Sequence, residues 1–405
     1  MKLFILFVLV ATFVFEWVMS TLNYQHRTQP IPDNVRDVYD PQEYSQWLEY
    51  TMLNHRLSNV GSGISFGIML VLLSSDFFLY VHQWTMTISN SIPITTLLFL
   101  GVYMFISLVI NLPFDYVTTF VIDQKFGFNT STLTTFVLDK IKGLLLTVIL
   151  GGALGFLLIT LYLRFQLTFI LIGWGVMVLV VLLVNVLYTK VFIRLFNKLT
   201  PLQDSTLKAR IEVFAQSVGY EVTKISVMNA SKRSTKLNAF FSGFGKFKQI
   251  VLYDTLVEQC SEDEIIAVLA HEIGHAKHRD VIRSFAQSVI MLFVYLVVLV
   301  IFFETTYFVQ PFGFSEPHIG FSMILFSILM SPIGIVLQLP LSYLSRKAEF
   351  KADYFAKVHG YGPALVSALK LLAKKNFSNL TPHPWVVKLS YSHPPMSKRI
   401  EMLSK

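Results

Sequence analysis

The sequence predicts a mainly α-helical protein that crosses a membrane several times and carries a small soluble part. Of its 405 residues, 54% are hydrophobic and only 14% are charged, with a mean hydropathy of +0.58. Soluble domains carry about a quarter charged residues. Seven apolar stretches reach the roughly 20 residues that a helix needs to cross a bilayer core. Residues 271–275 read His-Glu-Ile-Gly-His, outside these stretches.

The predicted membrane spans fall into two groups, five before a long polar region and two after it. The first is expected to be a retained span, because it contains Glu16 and Trp17 and lacks the small residues of a signal-peptide cleavage site before Asn23. The seven predicted spans are residues 3–22, 62–83, 92–114, 142–165, 168–190, 281–304 and 319–342.

The basic residues predict the orientation of the spans. Loops 84–91 and 305–318 contain no Lys or Arg, whereas 190–280 contains thirteen and 343–405 contains eleven. Basic loops stay on the cytoplasmic side, so we expect the carboxyl terminus there and the amino terminus outside or in a lumen. The net charge of +8 follows from this asymmetry, and we expect no nucleic-acid partner.

The polar regions predict a soluble domain that two membrane spans divide. Residue spacing indicates helices and short strands on both sides of these spans. The predicted helices are 207–218, 260–279, 344–359 and 364–375, and the predicted strands are 225–227 and 249–253. We therefore divide the chain into 1–190 (five spans), 191–280 (first part of the domain), 281–342 (spans six and seven) and 343–405 (second part).

The His-Glu-Ile-Gly-His motif predicts a metal site on a helix. His271 and His275 are four residues apart, so they lie on one helix face and can bind one zinc ion. Glu272 then lies beside the ion as a base for a bound water. The single Cys260 excludes zinc sites built from several cysteines. The pattern is typical of zinc metalloproteases.

A catalytic zinc ion takes a third protein ligand and leaves one position for water. The best candidate is Glu349 in the segment Ser345-Arg-Lys-Ala-Glu-Phe-Lys-Ala-Asp353. Asp353 follows one helical turn later and can orient a ligand histidine. Taken alone, this segment also fits a solvated charged helix face. The open two-histidine site favours the ligand interpretation, with one Zn²⁺ per chain.

Two other histidines compete for roles at the metal. His278 follows the motif closely, but its charged neighbours favour a place at the membrane surface. His393 precedes two prolines in Tyr391-Ser-His-Pro-Pro395, and Arg399 follows. A rigid turn that presents His and Arg suits a developing oxyanion or a substrate carboxylate, although an ordinary surface turn remains an alternative.

Several motifs together resemble the type I CAAX prenyl endopeptidases, a family of integral membrane zinc metalloproteases. They include Leu-Asn-Ala-Phe-Phe within 231–243 and Val-Leu-Tyr-Asp within 250–256, besides the two metal motifs and the Ser-His-Pro-Pro turn. Earlier segments of the resemblance are 112–114 and 119–129. The similarity extends over nearly the whole chain.

The resemblance implies seven membrane helices that enclose a chamber, capped by a zincin-like protease domain with a small β-sheet. It also implies that Asn238 binds substrate backbone beside the zinc ion, and that His393 and Arg399 line the same site. The motif is followed by Ala276-Lys-His-Arg-Asp280 where the family often has Trp-Lys-x-Gly-His. The segment between Leu256 and Glu262 is also short, whereas animal members of the family carry a long insertion there. Both departures favour a compact bacterial-type homologue.

The expected activity is hydrolysis of peptide bonds, with CAAX-type processing of prenylated proteins or peptides implied by the resemblance. A broader protease that clears membrane or misfolded proteins is the alternative. A zinc transporter would need more ionisable residues than Glu16 and Asp76 in the spans, and a non-catalytic scaffold would not need Glu272. Expected partners are a peptide or protein substrate, with or without a prenyl group, and the lipid bilayer. A bacterial cytoplasmic membrane is favoured, or the endoplasmic reticulum in a eukaryote.

Overall fold

Helices dominate the protein, and a small sheet lies late in the chain. The computed structural model describes residues 1–220, 224–242 and 249–405; Gly243, the last residue of the motif 231–243, lies outside them. The described helices and strands, in chain order, are α1 (Lys2–His26), α2 (Pro41–Ser74), α3 (Phe77–Ile88), α4 (Ile92–Val117), α5 (Leu133–Leu146), α6 (Gly152–Phe165), α7 (Phe169–Leu187), α8 (Ile193–Phe196), β1 (Leu199–Pro201), α9 (Thr206–Ser217), β2 (Ile225–Met228), β3 (Ala239–Ser242), β4 (Gln249–Tyr253), α10 (Asp254–Gln259), α11 (Glu262–Lys277), α12 (Asp280–Phe303), α13 (Ile319–Ala356), α14 (Gly362–Asn376), α15 (Pro384–Ser390) and α16 (Met396–Ser404).

The apolar helices of the described chain are long enough for several passes through a membrane, and the number seven remains a prediction. Within the described residues, six continuous helical segments are long and apolar enough to cross a membrane. One of them, Leu133–Phe196, has 64 residues. At 1.5 Å per residue it would measure about three bilayer cores if it were straight. Instead the chain turns at Gln166, where φ is 45°, and α7 packs back against α6. This segment therefore crosses twice.

The second pass differs from the predicted range 62–83. Helix α2 begins at Pro41, where the Asp40 carboxylate accepts a hydrogen bond from the Glu43 amide and the Glu43 side chain accepts one from the Asp40 amide. It ends at Ser74, because Ser75 takes an extended conformation. Residues 77–83 belong to the separate helix α3. The hydropathy of 62–83 indicated apolar surroundings correctly, but it could not show the turn at residues 75–76.

Helix α13 joins the membrane part to the soluble part without interruption. The sequence predicted a span over 319–342 and a separate helix over 344–359, but one helix of 38 residues runs through both. Pro332 and Pro340 lie inside it without ending it. Near residue 343 the side chains change from apolar to charged. This indicates that the surroundings of the helix change from apolar to polar there, while the helix itself continues. The domain division at residue 342 remains a proposal.

Helices α1, α2, α13 and α15 enclose a cavity of about 740 Å³. Glu16, which lies within the apolar helix α1, lines this cavity together with Arg27, His55 and Gln338. Ionisable side chains in membrane spans are expensive in lipid and face interior spaces. The polar lining therefore explains the position of Glu16, and the enclosed chamber that the resemblance implies remains a prediction.

The sheet has four strands in the order β1-β2-β4-β3. Strands β2 and β4 were both predicted from the sequence, and they form the centre of the sheet as a parallel pair, with Ile225 opposite Ile250. The antiparallel strands β1 and β3 flank it and were not predicted. Both have three or four residues, too few for a recognisable alternation. Strand β3 lies at the edge of the sheet.

Helix α11 packs at the centre of the soluble part. A reciprocal pair of hydrogen bonds between Ser261 and Glu264 starts the helix, as the acidic residues at 262–264 predict. Its apolar face is fully buried and contacts α9, α13 and α14. The buried residues of this face include Ile265, Ile266, Leu269, Ala270 and Ile273. The histidines of the motif supply the polar groups of this helix that can take part in chemistry.

Candidate active site

Three side chains converge where α11 crosses α13. The His271 and His275 Nε2 atoms are 3.2 Å apart, and they lie 3.5 Å and 3.4 Å from the two Glu349 carboxylate oxygens. A tetrahedral zinc ion with bonds of about 2.0–2.1 Å separates its ligand atoms by about 3.3 Å. The three residues therefore match the geometry of a zinc site, as the sequence predicted for each of them.

The burial of Glu349 also indicates a cation. Its side chain is only 7% exposed, and its Oε2 atom accepts no hydrogen bond from the described residues. Leaving a buried carboxylate oxygen unpaired is costly, so a metal ion in contact with it is the natural compensation. Burial lowers the pKa of His275, but hydrogen bonding and charge from Glu349 outweigh it and raise that pKa to about 9. The cluster attracts positive charge.

Each ligand histidine is oriented by its own aspartate. The Nδ1 atom of His271 lies 2.8 Å from Asp353, which is fully buried, and Nδ1 of His275 lies 3.1 Å from Asp280. A carboxylate on Nδ1 fixes the tautomer that leaves Nε2 free for a metal. The sequence predicted this role for Asp353. It missed Asp280, which was placed with its neighbours at the membrane surface.

Arg399 lies behind the metal ligands in a buried position. Its guanidinium donates two hydrogen bonds to Asp353, from Nε at 2.8 Å and from Nη2 at 2.6 Å. Its Nη1 atom is 3.6 Å from Glu349. The sequence predicted contact between Arg399 and substrate. In the structure its guanidinium is bound to these two carboxylates.

His393 approaches the cluster from the solvent side. Its Nε2 atom is 3.2 Å from the Glu349 Oε1 atom, and its side chain is 63% exposed. Arg346, one turn before Glu349 on α13, donates to the Val387 and Tyr391 carbonyl oxygens, each at 2.8 Å. These bonds tie the turn that carries His393 to the helix that carries the metal ligand. This role of Arg346 was not predicted from the sequence.

A cavity of about 650 Å³ opens onto the cluster and is lined by Glu272, His275 and Glu349. Burial raises the pKa of the Glu272 carboxyl above its usual value, while His271 and His275 oppose the rise. A carboxylate whose pKa is raised in this way is a stronger base for a water proton. The position and the chemistry both agree with the predicted role of Glu272.

The predicted residue Asn238 and the disfavoured ligand candidate His278 have contacts elsewhere. Asn238 is exposed at the start of β3, where its carbonyl oxygen accepts a hydrogen bond from the Tyr253 amide and its side chain accepts one from the Ala239 amide. His278 donates from Nδ1 to the Gly274 carbonyl oxygen at 2.7 Å. Among the described residues, neither side chain belongs to the metal cluster.

Comparison with known proteins agrees with this geometry. Residues 20–198 match the family model described as CAAX prenyl protease N-terminal, five membrane helices, and residues 201–405 match that of peptidase family M48. The chain belongs to the CAAX prenyl protease 1 family of M48 peptidases. It is therefore an integral membrane metallopeptidase, which excludes the alternatives of a transporter and a scaffold.

The relatives are similar over most or all of the chain. CAAX prenyl protease 1 of Saccharomyces cerevisiae is 32% identical over 97% of this chain and 93% of its own length. The rice CAAX prenyl protease 1 homolog is 38% identical over 76% of this chain and 73% of its own length. The crystal structure of Ste24p from S. mikatae superposes with a TM-score of 0.94 at 31% identity, covering 100% of this chain and 99% of that chain.

These relatives are eukaryotic, so the expectation of a bacterial-type homologue has no support. That expectation rested in part on the short segment between Leu256 and Glu262. In the structure this segment is the end of α10 and the turn before α11. The length of such a surface connection is weakly constrained by the fold, and it carries no information about the source.

We predict that zinc content depends on Glu349 and His275 and not on Glu272. Elemental analysis of purified protein should give about one zinc per chain, and Glu349→Gln or His275→Ala should lower it strongly, because each removes a ligand. Glu272→Gln is the matched control, since it neutralises a carboxylate in the same cavity without removing a ligand. Full zinc occupancy in both ligand variants would contradict the assignment.

Proposed function

We propose that this protein removes the last three residues of prenylated proteins that end in Cys-a-a-X. The observation that supports this most is the metal cluster with Glu272 beside it, in a chain whose relatives over its whole length are named CAAX prenyl proteases. The enclosing membrane helices favour a substrate that is anchored in lipid.

A zinc ion held by His271, His275 and Glu349 would supply an acidified water and a Lewis acid for the scissile carbonyl. Glu272 takes a proton from the attacking water and delivers it to the leaving amine. His393, whose exposed side chain lies 3.2 Å from Glu349, donates a hydrogen bond to the oxyanion. Arg399 compensates the charge of the buried Asp353 and so keeps His271 in position, in place of the substrate contact predicted from sequence.

The edge of the sheet supports a binding mode for the peptide. Strand β3 pairs only with β4 among the described residues, so its outer edge offers backbone groups to an extended chain. Asn238 stands at the beginning of this edge, and Phe240 of the same strand lines the cavity at the metal. An extended substrate along β3 therefore leads toward Glu272, with the Asn238 side chain available to its backbone.

The central prediction of this proposal concerns the lipid. Purified protein in detergent should cleave a farnesylated peptide with a higher kcat/KM than the same peptide without the lipid, since binding energy from a remote group can be used at the reacting centre. Glu272→Gln should retain zinc and cleave both peptides at least about a hundredfold more slowly. Such a loss would show that the measured cleavage is catalysed by this protein and not by a contaminating protease. Equal cleavage of the two peptides by the wild type would favour the broader protease.

We further propose that the protein lies in the endoplasmic reticulum membrane with the metal site on the cytoplasmic side. The eukaryotic relatives favour this compartment over the bacterial membrane, and the basic residues of 190–280 and 343–405 favour this orientation.

The orientation has a direct test in sealed vesicles. A protease-sensitive tag at the carboxyl terminus should be cleaved by protease added from the cytoplasmic side, and a tag within 305–318 should be protected until the membrane is opened. Basic loops remain on the cytoplasmic side, which is the reason for this expectation. The reverse pattern of protection would contradict the orientation.

A further inference from the structure

Two arginines line the cavity that opens onto the metal site. Arg279 and Arg283 share its lining with Glu272, His275 and Glu349. A peptidase that releases a carboxyl-terminal tripeptide must accommodate a free carboxylate close to the reacting bond. A guanidinium is the side chain best suited to bind a carboxylate, because its fork of donors matches the two oxygens.

Of the two arginines that line this cavity among the described residues, Arg279 is the one without a carboxylate partner. Arg399 is bound to Asp353, and Arg283 donates to the Asp280 Oδ1 atom at 3.0 Å. Arg279 is exposed, and within residues 1–220, 224–242 and 249–405 its guanidinium has no hydrogen bond or ion pair. Its charge is therefore available to a ligand in the cavity.

The distance fits a carboxylate three residues beyond the scissile bond. An extended peptide advances about 3.3–3.6 Å per residue, so this carboxylate lies about 10 Å from the metal. Arg279 follows His275 by four residues, in the turn just after the end of α11 at Lys277. Its long side chain lines the same cavity as His275 and can cover the remainder of the distance.

The backbone at residue 279 provides an unusually clean test. Arg279 connects α11 to α12 with φ 56° and ψ 32°, in the left-handed region that favours glycine. Glycine at this position relieves backbone strain instead of creating it. Arg279→Gly therefore removes the charged side chain while the turn between the two helices keeps its conformation.

We propose that Arg279 binds the free carboxyl-terminal carboxylate of the peptide substrate. This assignment rests on the proposed endopeptidase function and specifies one part of it. The carboxylate forms charge-assisted hydrogen bonds to the guanidinium, and the scissile carbonyl then reaches Glu272 and the metal cluster. A substrate with a blocked carboxyl terminus lacks these bonds and binds in poorer register.

The test compares two prenylated peptides that differ only in a free carboxylate or a carboxyl-terminal amide. Measured in an uncharged detergent, the wild type should prefer the free acid by about tenfold to a hundredfold in kcat/KM, as expected for charge-assisted bonds. The Arg279→Gly variant should cleave the free acid more slowly and so lose this preference. Its zinc content and its cleavage of the amide should be nearly unchanged. Arg279→Lys should retain part of the preference. Arg36→Gln, at an exposed arginine paired with Asp33, is the control and should keep the full preference.

The outcomes separate this assignment from the function on which it rests. An acid preference that persists in Arg279→Gly would place the carboxylate elsewhere and overturn the assignment, while hydrolysis itself stands. A wild type that cleaves acid and amide equally would overturn carboxylate recognition. A wild type that cleaves neither peptide would overturn the proposed function and this assignment together. Binding can also be measured without turnover. The free tripeptide should bind the Glu272→Gln variant at least tenfold more tightly than it binds the double variant Glu272→Gln, Arg279→Gly.

Discussion

The site depends on the close crossing of α11 and α13 at Gly274. A Cβ atom on Gly274 would lie 2.9 Å from the Ala352 Cα atom and 3.2 Å from its carbonyl oxygen, both backbone atoms that cannot move aside. Glu349 and Asp353 stand on either side of Ala352 along α13. The crossing thus places one carboxylate against the metal face of His271 and the other against its Nδ1 atom. A larger residue at 274 would separate both pairs at once.

Charge balance explains why so many ionisable groups are tolerated in this buried place. Asp353 has no exposed surface, and it is stable there because Arg399 and His271 surround it with hydrogen bonds. Asp280 is held in the same way by Arg283 and His275. Among these three carboxylates, Glu349 keeps a buried oxygen atom without a hydrogen bond from the described residues. Metal binding and the stability of this crossing are therefore coupled, since an isolated buried charge is strongly unfavourable.

Much of this arrangement could be predicted from the sequence, and the remainder could not for physical reasons. The ligands His271, His275 and Glu349 follow from helical spacing and from the coordination that zinc requires. The role of Asp280 in orienting His275 does not follow from spacing, because it depends on the left-handed turn at residue 279, which bends the chain back toward His275. Apolar length indicated several membrane spans but not their bounds, because the end of α2 at Ser74 and the continuation of α13 past residue 342 are set by local backbone conformation and packing.

The close approach of α11 and α13 at Gly274 holds the metal site together, and the variant Gly274→Ala is the direct test of this. Added volume in a packed contact costs roughly 1–3 kcal/mol, so the variant should lose zinc, activity and thermal stability together. Gly175→Ala is the matched control: its added Cβ would meet no atom within 4 Å, and alanine favours helices, so it should be neutral or stabilising. Zinc occupancy measured on both variants decides the matter. Full zinc occupancy and wild-type activity in Gly274→Ala would contradict the account.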